Sequence, residues 1–186
     1  MNNMEQAKLY YLYMMSDGEI SKNEMKVFSL ICEDLCLDEY DRNKVIRECK
    51  ETIDKKCLSC IEVLEKSAKN NFMYDDMYIG LSKYESEKDK ASIMWNLVNL
   101  GYADKYFTHD EREVVEFIQE YWEIKDSLYQ EMIDVAETIL SLEEYKIWIE
   151  ENVEESKSKQ AKLAKIKKDI KFVQNTIKET ISEFDY

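Results

Sequence analysis

The chain has 186 residues, no proline, three glycines and a formal net charge of −14. Because so few residues interrupt helices, the composition predicts an all-α protein. The chain lacks both an apolar run near the ~20 residues of a membrane helix and the charge pattern of a signal peptide. We therefore expect a soluble, cytoplasmic protein without a transmembrane segment, and peripheral association with a membrane stays open.

Charge divides the chain into two parts. Residues 151–186 contain eight lysines and seven acidic residues, so residues 1–150 carry a net charge of −15. This imbalance predicts an acidic helical domain over residues 1–150 and a lysine-rich amphipathic tail over residues 151–186. It argues against direct binding of nucleic acid by the acidic domain, because phosphate contacts require a basic surface.

The predicted helices begin at residue 4. Residues 4–16 place apolar side chains at helical spacing, and the pattern stops at the turn around Gly18. A second helix starts at a capping box formed by Ser21 and Glu24. Two more helices are predicted between residues 38 and 70, with a weak break near residues 54–57 and a stop at Asn70.

The second predicted helix and the turn before it recur 87 residues later. Each copy reads as an aspartate turn, a capping box and an amphipathic helix. Asp17, Ile20, Ser21, Glu24, Val27, Ile31, Leu35 and Leu37 correspond to Asp104, Phe107, Thr108, Glu111, Val114, Ile118, Trp122 and Ile124. The repeat predicts a bundle of two pseudo-repeated halves.

The C-terminal part predicts one long helix. No stop signal follows Leu142, so a helix of ~40 residues, or ~60 Å, is expected. Apolar residues inside it follow heptad spacing, and lysines surround them. The heptad residues are Leu163, Ile166, Ile170, Val173, Ile177, Thr180 and Phe184. This seam predicts binding of a protein partner or homodimerisation through the C-terminal helix, and packing of the tail on the rest of the chain is the alternative.

The first acidic turn carries a resemblance to a known family. Asp17, Gly18, Glu19, Ile20 and Glu24 match the turn of the TerB-like family, named for tellurite-resistance proteins, and the resemblance covers residues 1 to about 150. The resemblance implies an all-helical domain with two such turns. It also implies roles in tellurite or stress resistance, membrane-associated complexes and possible metal binding. The second turn differs, since lysine and tyrosine replace the glycine and the acid at positions 105 and 106.

The first turn has two physical interpretations. Asp17, Glu19 and Glu24 place three carboxylates close in sequence, which suits Ca²⁺ or another hard divalent cation. Alternatively, Asp17 bonds its own turn while Ser21 and Glu24 form the cap, and this interpretation is favoured because the turn has fewer ligands than an EF-hand loop.

The remaining reactive residues favour structure over catalysis. A zinc site formed by Cys32, Cys36, Cys57 and Cys60 is conceivable, but apolar core filling is the preferred role. His109, the single histidine, fits a solvated surface position. The tyrosines at 10, 11 and 13 and the tryptophans at 95, 122 and 148 are predicted to pack between helices, with a partner groove as the alternative.

These features support three functional hypotheses. The leading one is a non-enzymatic protein-interaction module, in which no cofactor is required. The second is a divalent-cation sensor centred on Asp17, Glu19 and Glu24. The third is an acidic inhibitor or immunity-type protein whose −15 body covers a basic surface of its target.

Overall fold

The computed structural model describes residues 1–56, 59–69, 79–105 and 107–183. Within these residues the chain forms eight α-helices and no strand, which confirms the all-α prediction. The chain divides into two compact units, Met1–Lys125 and Asp126–Tyr186. The division thus lies before the seventh helix, whereas the charge pattern suggested a boundary near residue 150.

The first unit is built around its first helix. Its helices are α1 (Asn3–Met14), α2 (Lys22–Asp34), α3 (Glu39–Lys56), α4 (Cys60–Ala68), α5 (Glu87–Gly101) and α6 (His109–Trp122). α1 packs against α2, α3, α5 and α6. Its residues 9–14 are all buried, which is the pattern of a helix surrounded by others rather than one lying on a surface.

Capping boxes start the two helices of the sequence repeat. Ser21 with Glu24 begins α2, and Thr108 with Glu111 begins α6, as the sequence predicted. α3 ends at Lys56, within the predicted break near residues 54–57, and α4 begins at Cys60. Cys57 and the predicted stop at Asn70 lie outside the described residues.

The backbone also recurs at the offset of 87 residues. α6 begins 87 residues after α2. Gly18 has a left-handed φ of 85°, and Lys105, its counterpart, has φ 76° although it is not a glycine. Cys36 and Glu123, also 87 residues apart, both have φ 56°. Both turns therefore place a residue of left-handed φ at the same position, although lysine replaces glycine in the second.

The second unit is a helical hairpin of α7 (Asp126–Asn152) and α8 (Lys157–Ser182). The prediction of an uninterrupted helix after Leu142 is wrong, because α7 ends at Asn152 and the Ser156 side chain caps the start of α8. Thr180 Oγ1 donates a hydrogen bond to Glu131 Oε1 at 3.3 Å, so α8 runs antiparallel to α7. Folding back buries apolar side chains that a single straight helix would leave in water.

None of the helices in the described part of the chain is both long and apolar enough to cross a bilayer.

Candidate functional site

The first acidic turn is organised as a helix cap. The backbone N–H of Glu19 donates to Asp17 Oδ1 at 3.0 Å, so the aspartate bonds its own turn. Ser21 N–H donates to Glu24 Oε2 at 2.7 Å, and Glu24 N–H donates to Ser21 Oγ at 3.1 Å. Asp17 and Glu19 are exposed, whereas Glu24 is 3% exposed. These contacts are those of the capping interpretation.

The second turn repeats this arrangement. Thr108 donates to Glu111 Oε2 from its backbone N–H at 2.8 Å and from its hydroxyl at 2.9 Å. The backbone N–H of Glu111 donates to Thr108 Oγ1 at 3.3 Å. Glu111 is also 3% exposed. Both capping glutamates of the repeat are therefore removed from water.

Each buried carboxyl is affected by negative charges of the other turn. The pKa of Glu111 is raised to about 7. Burial is the largest cause, and the negative charges of Glu24 and Asp17 add to it, while the hydrogen bonds to Thr108 act in the opposite direction. Burial also raises the pKa of Glu24, with Asp104 and Asp17 adding to the effect. The two turns thus lie within electrostatic reach of each other, a relation that the linear pattern did not reveal.

The predicted cation site is made of carboxylates of the first turn and the start of α2. Among the described residues, no group of three or more His, Cys, Asp or Glu side chains is arranged to hold a metal ion. The cation site predicted at Asp17, Glu19 and Glu24 stays a prediction, since the bonds above assign Glu24 to the cap of α2.

The cysteines fit the core-filling prediction better than the zinc alternative. Cys32, Cys49 and Cys60 are buried free thiols, while Cys36 is exposed and Cys57 lies outside the described residues. Burial raises the pKa of Cys32 and of Cys60 to about 11, which keeps both thiols protonated at neutral pH. The buried cysteines therefore act as small apolar side chains.

The heptad seam of α8 is used within the hairpin. Ile166, Ile170 and Ile177 are buried, and Leu163 and Val173 are half-buried. One apolar cluster joins the two helices and consists of Ile149, Ile166 and Ile170 with Ile139, Leu142, Val153 and Leu163. Phe184 lies outside the described residues. Binding of another protein by the seam stays a prediction, and it would require α8 to leave α7.

The exposed face of α7 carries aromatic side chains. Trp148 is 54% exposed and Tyr145 is 49% exposed, so the prediction that Trp148 packs inside, as Trp95 and Trp122 do, is wrong. The Trp148 and Tyr145 rings stack with centroids 6.2 Å apart and planes 13° apart. Glu151 follows Trp148 by three positions and is exposed on the same face. The result is an aromatic patch in an acidic surrounding, which we call the α7 face.

The exposed face of α8 has the opposite charge. Phe172 is 71% exposed, and the exposed Lys168 and Lys165 precede it by four and seven positions. α8 contains eight lysines and two acidic residues, whereas α7 contains eight acidic residues and one lysine. We call the surface of Phe172, Lys165 and Lys168 the α8 face. Tyr145 and Trp148 on the α7 face and Phe172 on the α8 face are all exposed.

Comparisons with other proteins add no assignment. No protein-family model, curated protein or solved structure matches this chain. The TerB-like resemblance therefore stays a prediction.

Proposed function

We propose that the chain is a non-enzymatic protein-interaction module that binds through the α7 face and the α8 face of its hairpin. The observation that carries this proposal is the exposure of three aromatic side chains, Tyr145, Trp148 and Phe172, on two strongly charged helices. Exposed aromatic groups next to charged residues are typical of binding surfaces, where Trp and Tyr supply much of the affinity.

The internal use of the heptad seam also supports this location. A partner that bound the seam would have to displace α7 from Ile166 and Ile170. The α7 face and the α8 face are exposed while the hairpin stays closed, so binding there does not sacrifice the buried apolar contacts. We therefore place the predicted C-terminal interaction on the α7 face and the α8 face rather than on the heptad seam.

The acidic turns favour a structural role for the first unit. Glu24 and Glu111 are each hydrogen-bonded within a helix cap, and each holds a position that would otherwise leave backbone N–H groups unpaired. We infer that this unit is a scaffold. The TerB-like resemblance leads us to place the module in a stress- or tellurite-resistance-related complex.

Affinity capture tests the proposed function. The full chain and its double variant Tyr145→Ser, Trp148→Ser are used as baits in an extract of the native cells. Leu30→Ser serves as the matched control, because Leu30 is 53% exposed in the first unit. We expect the double variant to lose the proteins that the chain and the control capture.

Two outcomes would count against the proposal. If the double variant captured the same proteins as the control, the α7 face would not be a binding surface. If those proteins were also released by moderate salt alone, the acidic surface would be the binding region, and the inhibitor hypothesis would take its place.

Divalent-cation binding is the second candidate function. The negative charge of Asp17 raises the pKa of both Glu24 and Glu111, and this favours cation binding because a cation would relieve repulsion among these carboxylates. Addition of Ca²⁺ is then expected to raise the melting temperature, and Asp17→Asn is expected to remove the increase. An unchanged melting temperature across Ca²⁺, Mg²⁺ and Mn²⁺ would exclude this function.

A further inference from the structure

We infer that the partner of the α7 face is the α8 face of a second copy of this chain, bound head to tail. The inference rests on the proposed function and names its partner. It follows from an observation about the hairpin itself: one chain carries two exposed surfaces that are complementary in charge and both contain aromatic side chains.

Charge is the first element of this complementarity. Helix α7 has a net charge of −7 and helix α8 a net charge of +6. Within one chain these helices meet through their apolar stripes, and the charged residues remain outside; Glu151 on α7 and Lys165 and Lys168 on α8 are exposed. When the α7 face of one copy meets the α8 face of another, these opposite charges become neighbours.

The aromatic side chains are the second element. Trp148 and Tyr145 on the α7 face and Phe172 on the α8 face are each about half exposed or more. Contact between copies would remove all three from water and place lysine ammonium groups near the Trp148 ring, where a cation–π interaction is favourable. An anionic membrane or a nucleic acid would pair with the lysines alone and would leave Trp148 and Tyr145 exposed.

The geometry of the hairpin determines the mode of association. Each helix turns its buried side toward the other, so the two exposed faces point largely away from each other. A contact between unlike faces is heterologous, and it leaves one free face of each kind at the ends of a dimer. We therefore expect association that continues beyond the dimer as the concentration rises.

Salt should have two opposite effects on the strength of association. Two chains of charge −14 repel one another over long distances at low ionic strength, whereas high salt weakens the local attraction between the faces. We expect the largest average mass at an ionic strength of about 0.1–0.2 M, where the Debye length is about 10 Å or less.

Complementation between two variants tests the inference. Trp148→Ser damages only the α7 face, and Phe172→Ser damages only the α8 face. Each variant alone is expected to self-associate at least about tenfold more weakly than the unaltered chain, as loss of a central aromatic contact commonly does. An equimolar mixture is expected to form a 1:1 dimer, because each variant supplies the face that the other lacks. Sedimentation velocity over a range of concentrations measures all four samples, including the unaltered chain.

A matched control separates this contact from general stickiness. Tyr84 is 98% exposed in the first unit, so Tyr84→Ser should associate like the unaltered chain. Circular dichroism of each variant verifies that the helices are retained.

Three results would overturn the inference. The unaltered chain could stay monomeric at every concentration, both variants could associate as well as the control, or the mixture could remain monomeric. If the chain stayed monomeric and its α8 lysines were required for binding to vesicles of phosphatidylserine and phosphatidylcholine, a membrane would be the partner of the α8 face instead. In each of these cases, loss of captured proteins by the Tyr145→Ser, Trp148→Ser bait would still support the proposed function, so the two failures are distinguishable.

Discussion

Replacing Glu111 by glutamine should stabilise the protein at alkaline pH. Burial raises the pKa of this carboxyl from 4.5 to about 7. A group whose pKa is raised by folding contributes stability that is complete below its unfolded pKa and is lost as the pH rises through the folded value. At 1.36 kcal/mol for each pKa unit, Glu111 lowers the free energy of unfolding at pH 8.5 by about 3 kcal/mol relative to pH 4.

Glutamine removes this charge while keeping the cap. Its side-chain oxygen accepts the bonds that Thr108 donates to Glu111 Oε2, and glutamine is a normal member of capping boxes. At pH 8.5 we expect the free energy of unfolding of Glu111→Gln to exceed that of the unaltered chain by about 2–3 kcal/mol. Near pH 4.5 we expect the two free energies of unfolding to differ little. Urea denaturation at both pH values, followed by tryptophan fluorescence, measures the difference.

The matched control is Glu62→Gln at the capping box of α4. Glu62 is exposed, and its bonds to Ser59 lower its pKa, so its contribution is present at high pH and is lost as the pH falls. Glu62→Gln should therefore lose stability at pH 8.5, opposite in sign to Glu111→Gln. Equal destabilisation by Glu111→Gln at both pH values would refute the argument that burial of charge at this cap is costly.

Four further substitutions follow from the backbone and the core. Gly18→Ala should lower the free energy of unfolding by about 1–2 kcal/mol through its left-handed φ alone, since an added Cβ meets no atom within 4 Å. Lys105→Gly should raise it by up to about 1 kcal/mol, because Lys105 has a left-handed φ as well. Chemical denaturation measures both changes, and changes of the same sign would contradict the equivalence of these two positions. Gly101→Ala should cost about 2 kcal/mol or more, because its Cβ would overlap the Tyr13 hydroxyl, and an unchanged melting temperature would argue against this packing. Ile177→Ala should cost about 3 kcal/mol as a fully buried seam position, and thermal unfolding without a shift would show that the hairpin does not bury it.

The helices of the first unit were predictable because local signals coincide there. Capping boxes at Ser21 and Thr108 fix two helix starts from four-residue patterns. The glycine turn at Gly18 ends the first helical pattern, and the tyrosines of α1 lie in the core as their spacing indicated. Such features depend on residues close together in the sequence, so these helix boundaries can be predicted from the sequence.

The hairpin was not predicted because its turn contains neither glycine nor proline. Residues 153–156 suit a helix, and only Ser156, which accepts from the backbone N–H of Lys159 at 3.1 Å, indicates a new start. The break forms because the stripe around Ile149 and the stripe around Ile166 bury one another when the chain reverses. That gain depends on residues distant in sequence, so a local pattern does not reveal it.

The same limit applies to the two buried caps and to the α7 face. The sequence identified Glu24 and Glu111 as caps, but their electrostatic coupling depends on how the helices of the first unit pack. The exposure of Trp148 was hidden because an aromatic residue at helical spacing is usually buried. Trp148 is exposed because α8 packs against the apolar stripe around Ile149, on another side of α7.

Photo-crosslinking from the position of Trp148 tests the central claim most directly. A benzoylphenylalanine at this position of the full chain is irradiated in an extract of the native cells, and the same residue at position 84 provides the control. The account predicts covalent adducts from position 148 that are absent from position 84, with peptides of α8 from a second copy among them. Equal labelling from both positions would contradict the claim that the hairpin presents a specific binding surface.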